Sequence, residues 1–332
     1  MKKLLSMMMA LLVVLGISGC GSSENTDPKT IDTLNVMFVP SKNPDDIQKA
    51  SEPMANLIKE SLTNQGFNVN TVNVTTGDSY EVVGEALASG SVDVGFIPAG
   101  TYVKYENEGV KPLMAATRNG LSINSKDAKV WNENKPTQET EEQVDFYNSL
   151  IIAGPSEKGK ALGEKVNNGE KPTWEELNEA TWCTSGPTSS SGYLYPSLWL
   201  KENYDKTITD LENTTRTKGY SDAMNSLQTQ VCDISVGFAD MRIDEAKNWE
   251  GDIWADTNVI GVSGPIINDT ISVSTTSKNM SDELQKALIT TFSEMPNSET
   301  GKEVMKIYNH TGYVEVKPED FDAERKVQEL SE

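Results

Sequence analysis

The sequence predicts an α/β protein built from two lobes. Short apolar runs alternate with amphipathic stretches from residue 33 onwards, which is the pattern of βα units. One unit occurs twice: residues 86–96 and 226–238 both pass from a helix end, through a turn carrying Asp, into a strand that ends in Val-Gly-Phe. This echo predicts one such unit in each lobe, with strand ends that open onto a shared crevice.

The first half of the chain predicts strands and helices in alternation. Apolar residues predict strands at 34–39, 67–74 and 92–97. Apolar side chains at helical spacing predict a helix over 47–62, which ends at Gly66. Asp78 and Glu81 predict a capping box, and this places Tyr80 in the first turn of a second helix.

The second half repeats the alternation. Its apolar runs predict strands at 181–185, 234–238, 258–263 and 270–274. A helix is expected to begin near Ser190, and Ser221 and Ser281 are predicted N-caps of two later helices.

The N-terminus has the order of a bacterial secretory signal. Lys2 and Lys3 precede an apolar run of about 14 residues, which is too short to span a bilayer. Cys20 follows a small-residue cleavage site, as in the lipobox of secreted lipoproteins. We expect residues 1–19 to be a signal peptide and Cys20 to carry a lipid at the outer face of the cell membrane. Residues 20–32 are polar and small, and predict a flexible tether.

The charge of the chain limits its partners. The formal net charge is −21 and becomes −23 when the two lysines of the signal are removed. Such a surface repels phosphate backbones, so we expect no nucleic-acid partner. An anionic ligand would need local backbone and hydroxyl donors. Among the four arginines, only Arg242 lies near a predicted strand end, where a bidentate clamp on a carboxylate is placed best.

Few residues suited to catalysis are present. His310 is the single histidine, so neither a histidine-dependent triad nor a multi-histidine metal site can be assembled. The sequence also lacks a G-x-S-x-G elbow and a P-loop lysine. We therefore expect no enzyme activity, no metal and no cofactor.

Two cysteines remain besides Cys20. An exported location permits a disulfide between Cys183 and Cys232. Sequence alone does not place them within reach of each other, and we favour two buried thiols.

The sharpest local feature is the Ser-rich turn, which we define as residues 186–193. It follows a predicted strand, precedes a predicted helix, and carries Ser189, Ser190 and Ser191 between glycines. Amide groups at a helix start attract an anion, and the hydroxyls add directed donors. Four consecutive hydroxyl residues exceed what an ordinary N-cap needs, so we predict that this turn binds an anionic headgroup such as a phosphonate, phosphate or carboxylate.

The order of these motifs resembles that of the phosphonate-, phosphite- and phosphate-binding proteins of ABC importers, a branch of the type II periplasmic binding-protein fold. The resemblance covers residues 33–292 and rests on the Ser-Tyr helix start at 79–80, the Ser-rich turn and the Ala-Asp pair that ends the strand at 239–240. It implies a monomeric receptor that captures a small ligand and passes it to ABC permease subunits.

The resemblance also implies a division of the chain. We place lobe 1 at 33–150 and 268–332, and lobe 2 at 151–267, with crossings near Ile151 and at 265–270. Ligand would bridge the lobes and stabilise their closed form, which the permease recognises.

Site residues follow from the resemblance one by one. Tyr80 and Tyr102 match tyrosines that point into the cleft from lobe 1, and the three serines match the groups that hold the anion. Asp240 matches an acidic residue that meets a ligand amine. Tyr220 stands where many relatives have a histidine. We expect it in the cleft, but a neutral phenol suits a dianion less well.

The ligand therefore stays open between two chemical classes. One is a phosphonate or phosphate. The other is an amino acid whose carboxylate meets the serine amides and whose ammonium meets Asp240. An aromatic amino acid such as tyrosine would rest against Phe96, Tyr102, Trp182 or Phe238. A surface adhesin is an alternative from another class, and the polar segment 120–143 is the feature that favours it.

Overall fold

The computed structural model of the protein describes residues 29–42 and 44–331. The predicted signal peptide at 1–19 and the predicted lipid attachment at Cys20 lie outside these residues. The tether ends earlier than predicted: residues 29–32 belong to the first strand, where Lys29 pairs with Phe67 and Ile31 with Val69. Ile31 is buried, and this burial explains why the segment is ordered into a strand.

The strands and helices alternate along the described residues, as predicted. The strands are β1 Lys29–Phe38, β2 Phe67–Thr76, β3 Val94–Ile97, β4 Val110–Leu121, β5 Glu139–Val144, β6 Phe146–Ala153, β7 Trp182–Thr184, β8 Thr214–Arg216, β9 Ile234–Phe238, β10 Asn258–Ile267, β11 Thr270–Ser274 and β12 Gly312–Glu315. The helices are α1 Pro44–Asn64, α2 Tyr80–Ala88, α3 Ala99–Tyr105, α4 Ala128–Glu133, α5 Glu157–Asn167, α6 Trp174–Glu179, α7 Tyr195–Tyr204, α8 Tyr220–Gln228, α9 Met241–Glu245, α10 Ile253–Asp256, α11 Asp282–Glu294, α12 Glu299–Lys306 and α13 Asp322–Ser331. In this part of the chain no helix has both the length and the apolar character that a membrane span requires.

Two mixed sheets form two lobes. The seven-stranded sheet has the order β12-β4-β11-β3-β1-β2, with β5 paired to β4, and we call the part built on it lobe 1. The five-stranded sheet has the order β10-β6-β9-β7-β8, and the part built on it is lobe 2. β1 runs parallel to β2 and β3, and β7 runs parallel to β8 and β9. Each lobe therefore contains the parallel βα units that the sequence predicts.

The chain crosses between the lobes twice. It leaves the first sheet at Asp145, between β5 and β6, and returns at Asn268 and Asp269, between β10 and β11. The second crossing lies within the predicted segment 265–270. The first lies about six residues before Ile151, because β6 starts directly after β5 and the apolar run at 150–153 is only its second half.

The core of lobe 1 lies on both faces of its sheet. Val94 and Phe96 of β3 pack into one apolar cluster, and Ile97 packs into a second cluster with Leu87 of α2. Every residue of β3 is buried for this reason, as is usual for a strand covered on both faces. Gly95 is required here, since a Cβ on it would lie 2.5 Å from Leu87 Cδ1.

Helix caps explain where several helices begin. Ser281 accepts a hydrogen bond from the Leu284 amide at 3.2 Å, which confirms the predicted cap of α11. The other two predicted caps are wrong. Ser79, not Asp78, caps α2, and α8 starts after Gly219, two residues earlier than a cap at Ser221 would allow.

A disulfide joins Cys183 of β7 to Cys232, just before β9. The prediction of two buried thiols is therefore wrong. β7 and β9 are neighbours in the sheet, and this pairing brings the two Cα atoms to 5.7 Å, inside the range that a disulfide spans.

Candidate functional site

A small cavity lies between the lobes, at the ends of the central strands. Its volume is about 30 Å³, which has room for a water molecule but not for a solute. Both lobes and the second crossing contribute to its lining, which consists of Ser41, Lys42, Arg118, Tyr147, Ser191, Phe238, Asp269 and Tyr308. Its location at the carboxyl ends of β1 and β9 is where open α/β sheets bind ligands.

The Ser-rich turn lines this cavity through Ser191, and Ser189 lies behind it. Ser189 caps the π-helical turn 190–194 by accepting from the Gly192 amide at 3.3 Å. The hydroxyls of Ser189 and Ser191 lie 3.0 and 2.9 Å from the Tyr220 hydroxyl. All three side chains are buried, so their hydroxyls form a closed cluster that the sequence did not predict.

Tyr80 lies beside the same cluster. Its hydroxyl is buried and has no hydrogen-bond partner of ordinary geometry among the described residues. Burial is the main cause that raises the pKa of Tyr80, and the neighbouring Tyr220 and Asp269 add to the rise. The hydroxyl is therefore neutral, and its nearest polar group is the Tyr220 hydroxyl, whose contact adds to the rise of the pKa.

Tyr102 and Ser190 point to a different place. The Tyr102 hydroxyl donates to Glu106 at 3.0 Å, and its ring packs edge-on against Phe321 at 4.8 Å. The Ser190 hydroxyl donates to Glu324 at 2.6 Å. Neither side chain contacts the cavity, because α3 turns this face towards α13 rather than towards the cleft.

Asp240 is held at the edge of the cleft. Its carboxyl is buried and accepts from the Arg118 guanidinium at 3.1 Å and from Asn309 at 3.5 Å. One of its oxygens has no partner among the described residues. Burial raises the pKa of Asp240, and the adjacent Arg118 opposes that rise. Asp240 lines a second, larger groove of about 850 Å³, which adjoins the cavity at Lys42.

Asp269 was not predicted, yet it is the acidic residue in the cavity wall. It lies in the second crossing, and its carboxyl makes no hydrogen bond or ion pair that the described residues supply. Burial raises the pKa of Asp269, while Arg118 and Lys42 act in the opposite direction. The sequence signals the role of Asp269 only by placing a carboxylate inside a predicted crossing between the lobes.

Two cations that sequence reasoning passed over share this cavity. The Arg118 guanidinium lies over the Tyr147 ring at 4.7 Å and the Phe238 ring at 5.9 Å, and Lys42 lies over Phe238 at 4.5 Å. Arg242, the arginine singled out from the sequence, is instead buried beneath Trp254 at 4.6 Å and does not line the cavity.

The aromatic residues that line the cavity also differ from the four that were expected from the sequence. Phe96 stacks on Phe38 at 4.2 Å inside lobe 1, and Trp182 donates to the Leu177 carbonyl inside lobe 2. Both are core residues. Phe238 alone of the four expected rings lines the cavity, where Tyr147 and Tyr308 accompany it.

The site thus combines cations, an unpaired carboxyl, hydroxyls and aromatic rings from both lobes. These groups complement a small molecule that carries both charges. Among the described residues, no group of three or more His, Cys, Asp or Glu side chains is placed to hold a metal ion.

Comparison with known families agrees with this arrangement. The family of periplasmic substrate-binding proteins of ABC phosphonate transporters matches residues 36–321. The chain belongs to this family. The chain is therefore a substrate-binding component of a transporter and works outside the cytoplasm. Its family is a class of transport proteins and not a class of enzymes. No curated protein matches the sequence.

Several solved structures share the fold. A binding protein of an ABC phosphonate transporter from Pseudomonas aeruginosa is 14% identical, with a TM-score of 0.65 over 90% of this chain and 86% of that chain. PhnD1 from Prochlorococcus marinus, solved with methylphosphonate, is 11% identical, with a TM-score of 0.63 over 90% and 97%. The Mycoplasma hyorhinis protein Mh-p37, described as a putative thiamine pyrophosphate transporter, is 14% identical, with a TM-score of 0.64 over 92% and 99%. These likenesses confirm the predicted two-lobed architecture.

Proposed function

We propose that this chain is a lipid-anchored receptor that binds a small zwitterionic solute between its lobes and delivers it, unaltered, to an ABC permease. The anchor is Cys20, on the strength of the lipobox. The solute carries an anionic headgroup and an ammonium group. Within the phosphonate-transporter family, an aminoalkylphosphonate has this chemistry.

One observation supports this solute class above the others. The unpaired carboxyl of Asp269 lines the same cavity as the cations Lys42 and Arg118. The Asp269 side chain is half-buried, and none of the described residues donates a hydrogen bond to its carboxylate. An ammonium group placed beside it would supply a charged partner where little water can reach. The anionic headgroup would then meet Arg118 and Ser191, with the hydroxyls of Tyr220 and Tyr80 behind Ser191.

The binding movement follows from the size of the cavity. A volume of about 30 Å³ is too small for an aminoalkylphosphonate, so Lys42 and Arg118 must move aside as the solute enters. A solute that contacts groups of both lobes favours the closed form, because only that form brings the groups together.

The second candidate is an amino acid. Tyr220 favours it, since this neutral side chain has its hydroxyl shared with Ser189 and Ser191 and offers no charge to a dianion. A carboxylate with a single negative charge would suit the site as well as a phosphonate does.

Calorimetric titration tests the proposal. We expect 2-aminoethylphosphonate to bind more tightly than methylphosphonate, phosphite and phosphate, with L-tyrosine and other amino acids as the competing class. In Asp269→Asn, affinity for the aminated solute should fall by about 10–100-fold, the loss expected for a hydrogen-bonded charge. The affinity of Asp269→Asn for methylphosphonate should equal that of the wild type.

The matched control is Asp145→Asn, an exposed aspartate in the other crossing, which should leave every affinity unchanged. Binding of amino acids alone would select the second candidate. Tight binding of methylphosphonate without a preference for the amine, or no binding across the whole panel, would contradict the proposed solute class.

A further inference from the structure

The C-terminal helix α13 contacts both lobes. On the lobe 1 side, Arg325 donates to Glu106 at 2.6 and 2.8 Å, and Phe321, just before the helix, packs on Tyr102. On the lobe 2 side, Val327 joins the apolar cluster that contains Tyr195. α13 begins at Asp322, directly after the last residue that the family match covers.

Glu324 is the buried polar residue of this helix. It is 1% exposed, and its Oε1 accepts from the Ser190 hydroxyl at 2.6 Å. Ser190 in turn accepts from the Gly100 amide of lobe 1 at 2.9 Å. One chain of hydrogen bonds therefore joins lobe 1, the Ser-rich turn of lobe 2 and α13. No hydrogen bond of ordinary geometry reaches the second oxygen of Glu324 from the described residues, and the Tyr195 hydroxyl lies near this carboxyl.

Gly100 covers this carboxyl from the lobe 1 side. A Cβ on Gly100 would lie 3.1 Å from Glu324 Oε1 and 2.8 Å from the Thr188 carbonyl oxygen. Thr101, the next residue, donates to that carbonyl at 3.1 Å. Moving lobe 1 away would therefore break these bonds and admit water to Glu324.

The electrostatic surroundings of Glu324 are neutral. Burial raises the pKa of Glu324 to about 7, and hydrogen bonds from Ser190 and Tyr195 act against that rise. No charged side chain contributes to the shift. Arg325, the adjacent cation on α13, is engaged with Glu106 and Asp322.

The other titratable groups near Glu324 are tyrosines. Tyr195 of α7 faces it, and Tyr147 of β6 is close enough for the Glu324 charge to raise its pKa further. On α3, Tyr102 is bonded to Glu106. The pKa values of all three phenols are raised, mainly by burial, so none of them ionises near neutral pH.

We propose that Glu324 is a positioning residue for the solute site: through Ser190 it holds the Ser-rich turn against Gly100 of lobe 1, and its protonation state sets how firmly the two lobes close. The inference rests on the proposed function in one respect only, namely that the closed form is the one that holds solute.

The direction of the pH effect follows from the two environments of Glu324. In the closed form its pKa is raised above the ordinary 4.5, and in an open form that admits water it returns towards that value. Closure therefore takes up a proton. The equilibrium constant for closure is highest below about pH 5. It falls by up to about tenfold per pH unit as the pH rises towards 7, and it levels off above that pH.

Hydrogen exchange of the Gly100 amide tests this without any solute, because that amide donates to Ser190 across the lobes. After correction for intrinsic exchange rates, we expect its protection in the wild type to fall between pH 5 and 7. In Glu324→Gln, which keeps the shape but cannot ionise, protection should not change with pH. At pH 8 the variant should be protected at least about tenfold more than the wild type.

Glu329→Gln is the matched control, since Glu329 is an exposed residue of the same helix. It should reproduce the wild-type profile, and thermal unfolding at pH 6 should show that both variants fold. A wild-type profile without pH dependence, or the same dependence in Glu324→Gln, would overturn the proposal. Because no solute is used, neither result bears on the proposed solute class.

Discussion

Among the contacts that join the lobes, which include the Arg216–Glu81 ion pair, two differ clearly in chemistry. The ionic contact consists of Lys42, Arg118 and Asn309 of lobe 1 with Asp240 and Asp244 of lobe 2. Lys42 pairs with Asp244, and Asn309 donates to both oxygens of Asp244 at 3.1 Å. Arg118 pairs with Asp240 at 3.1 Å. This contact borders both the cavity and the larger groove.

The hydroxyl contact consists of Gly100 and Thr101 of lobe 1, Thr188 and Ser190 of lobe 2, and Glu324 of α13. Its bonds join hydroxyls, amides and one buried carboxyl, without an ion pair. Salt weakens interactions between exposed charges, so it should act mainly on the partly exposed Lys42–Asp244 pair and leave the buried Arg118–Asp240 pair and the neutral hydrogen bonds largely intact. The two contacts should therefore respond to different changes, the ionic contact to the loss of a charge and the hydroxyl contact to added volume.

Removing the buried cation Arg118 should have the largest effect on the population of the closed form. Arg118→Met leaves Asp240 buried and without its ion-pair partner, which costs about 3–5 kcal/mol in the closed form. Opening returns Asp240 to water, so the loss appears as a shift towards the open form. Small-angle scattering should show a larger radius of gyration than that of the wild type.

The double variant Arg118→Met/Asp240→Asn provides the control for that result. It removes both charges, so a large part of the closed form should return. An unchanged radius of gyration in Arg118→Met, or a double variant as open as the single one, would show that the pair does not hold the lobes.

Adding one methyl group to the hydroxyl contact should have the next largest effect. In Gly100→Ala the Cβ would lie 2.5 Å from Leu194 Cδ1 and 2.8 Å from the Thr188 carbonyl oxygen. Such overpacking costs about 1–3 kcal/mol, so the closed form should become about 10–100-fold less populated. Alanine suits the helical backbone of α3, so the lobes themselves should keep their stability.

Scattering and thermal unfolding together check this prediction. We expect a larger radius of gyration with little change in the unfolding temperature, and the same difference from wild type at low salt and in 1 M NaCl. A lower unfolding temperature without opening would mean that the methyl group disturbs lobe 1 alone.

The hydroxyl contact also shows what the sequence could predict. A run of hydroxyl residues after a buried strand predicts a donor-rich turn, and the structure forms that turn around Ser189 and Ser191. The apolar spacing of α11 and the continuous apolar run of β3 likewise predict their buried faces. These features depend on neighbours within one element, which a sequence displays directly.

Neighbours within one element could not show whether Tyr102 and Ser190 face the cleft. Helical spacing places Tyr102 on one face of α3, but which lobe or helix meets that face depends on the path of α13 more than 200 residues later. The roles of Arg118 and Asp269 depend in the same way on how two sheets and two crossings meet. Sequence patterns thus reveal the elements of each lobe, and the contacts between lobes come from the tertiary fold.

The smallest effect should come from the outer ion pair of the ionic contact. The Lys42 and Asp244 side chains are 14% and 20% exposed, and Lys42 also lies over the Phe238 ring. Lys42→Met keeps the apolar contact and loses the charge, so the closed form should lose about 1 kcal/mol or less. This loss should disappear in 1 M NaCl, where the Debye length falls to about 3 Å. Lys42→Arg retains the charge and should behave as the wild type in scattering at both salt concentrations. An effect of Lys42→Met that persists in high salt would contradict this prediction, because it would mean that the Lys42–Asp244 pair is shielded from salt as the buried Arg118–Asp240 pair is.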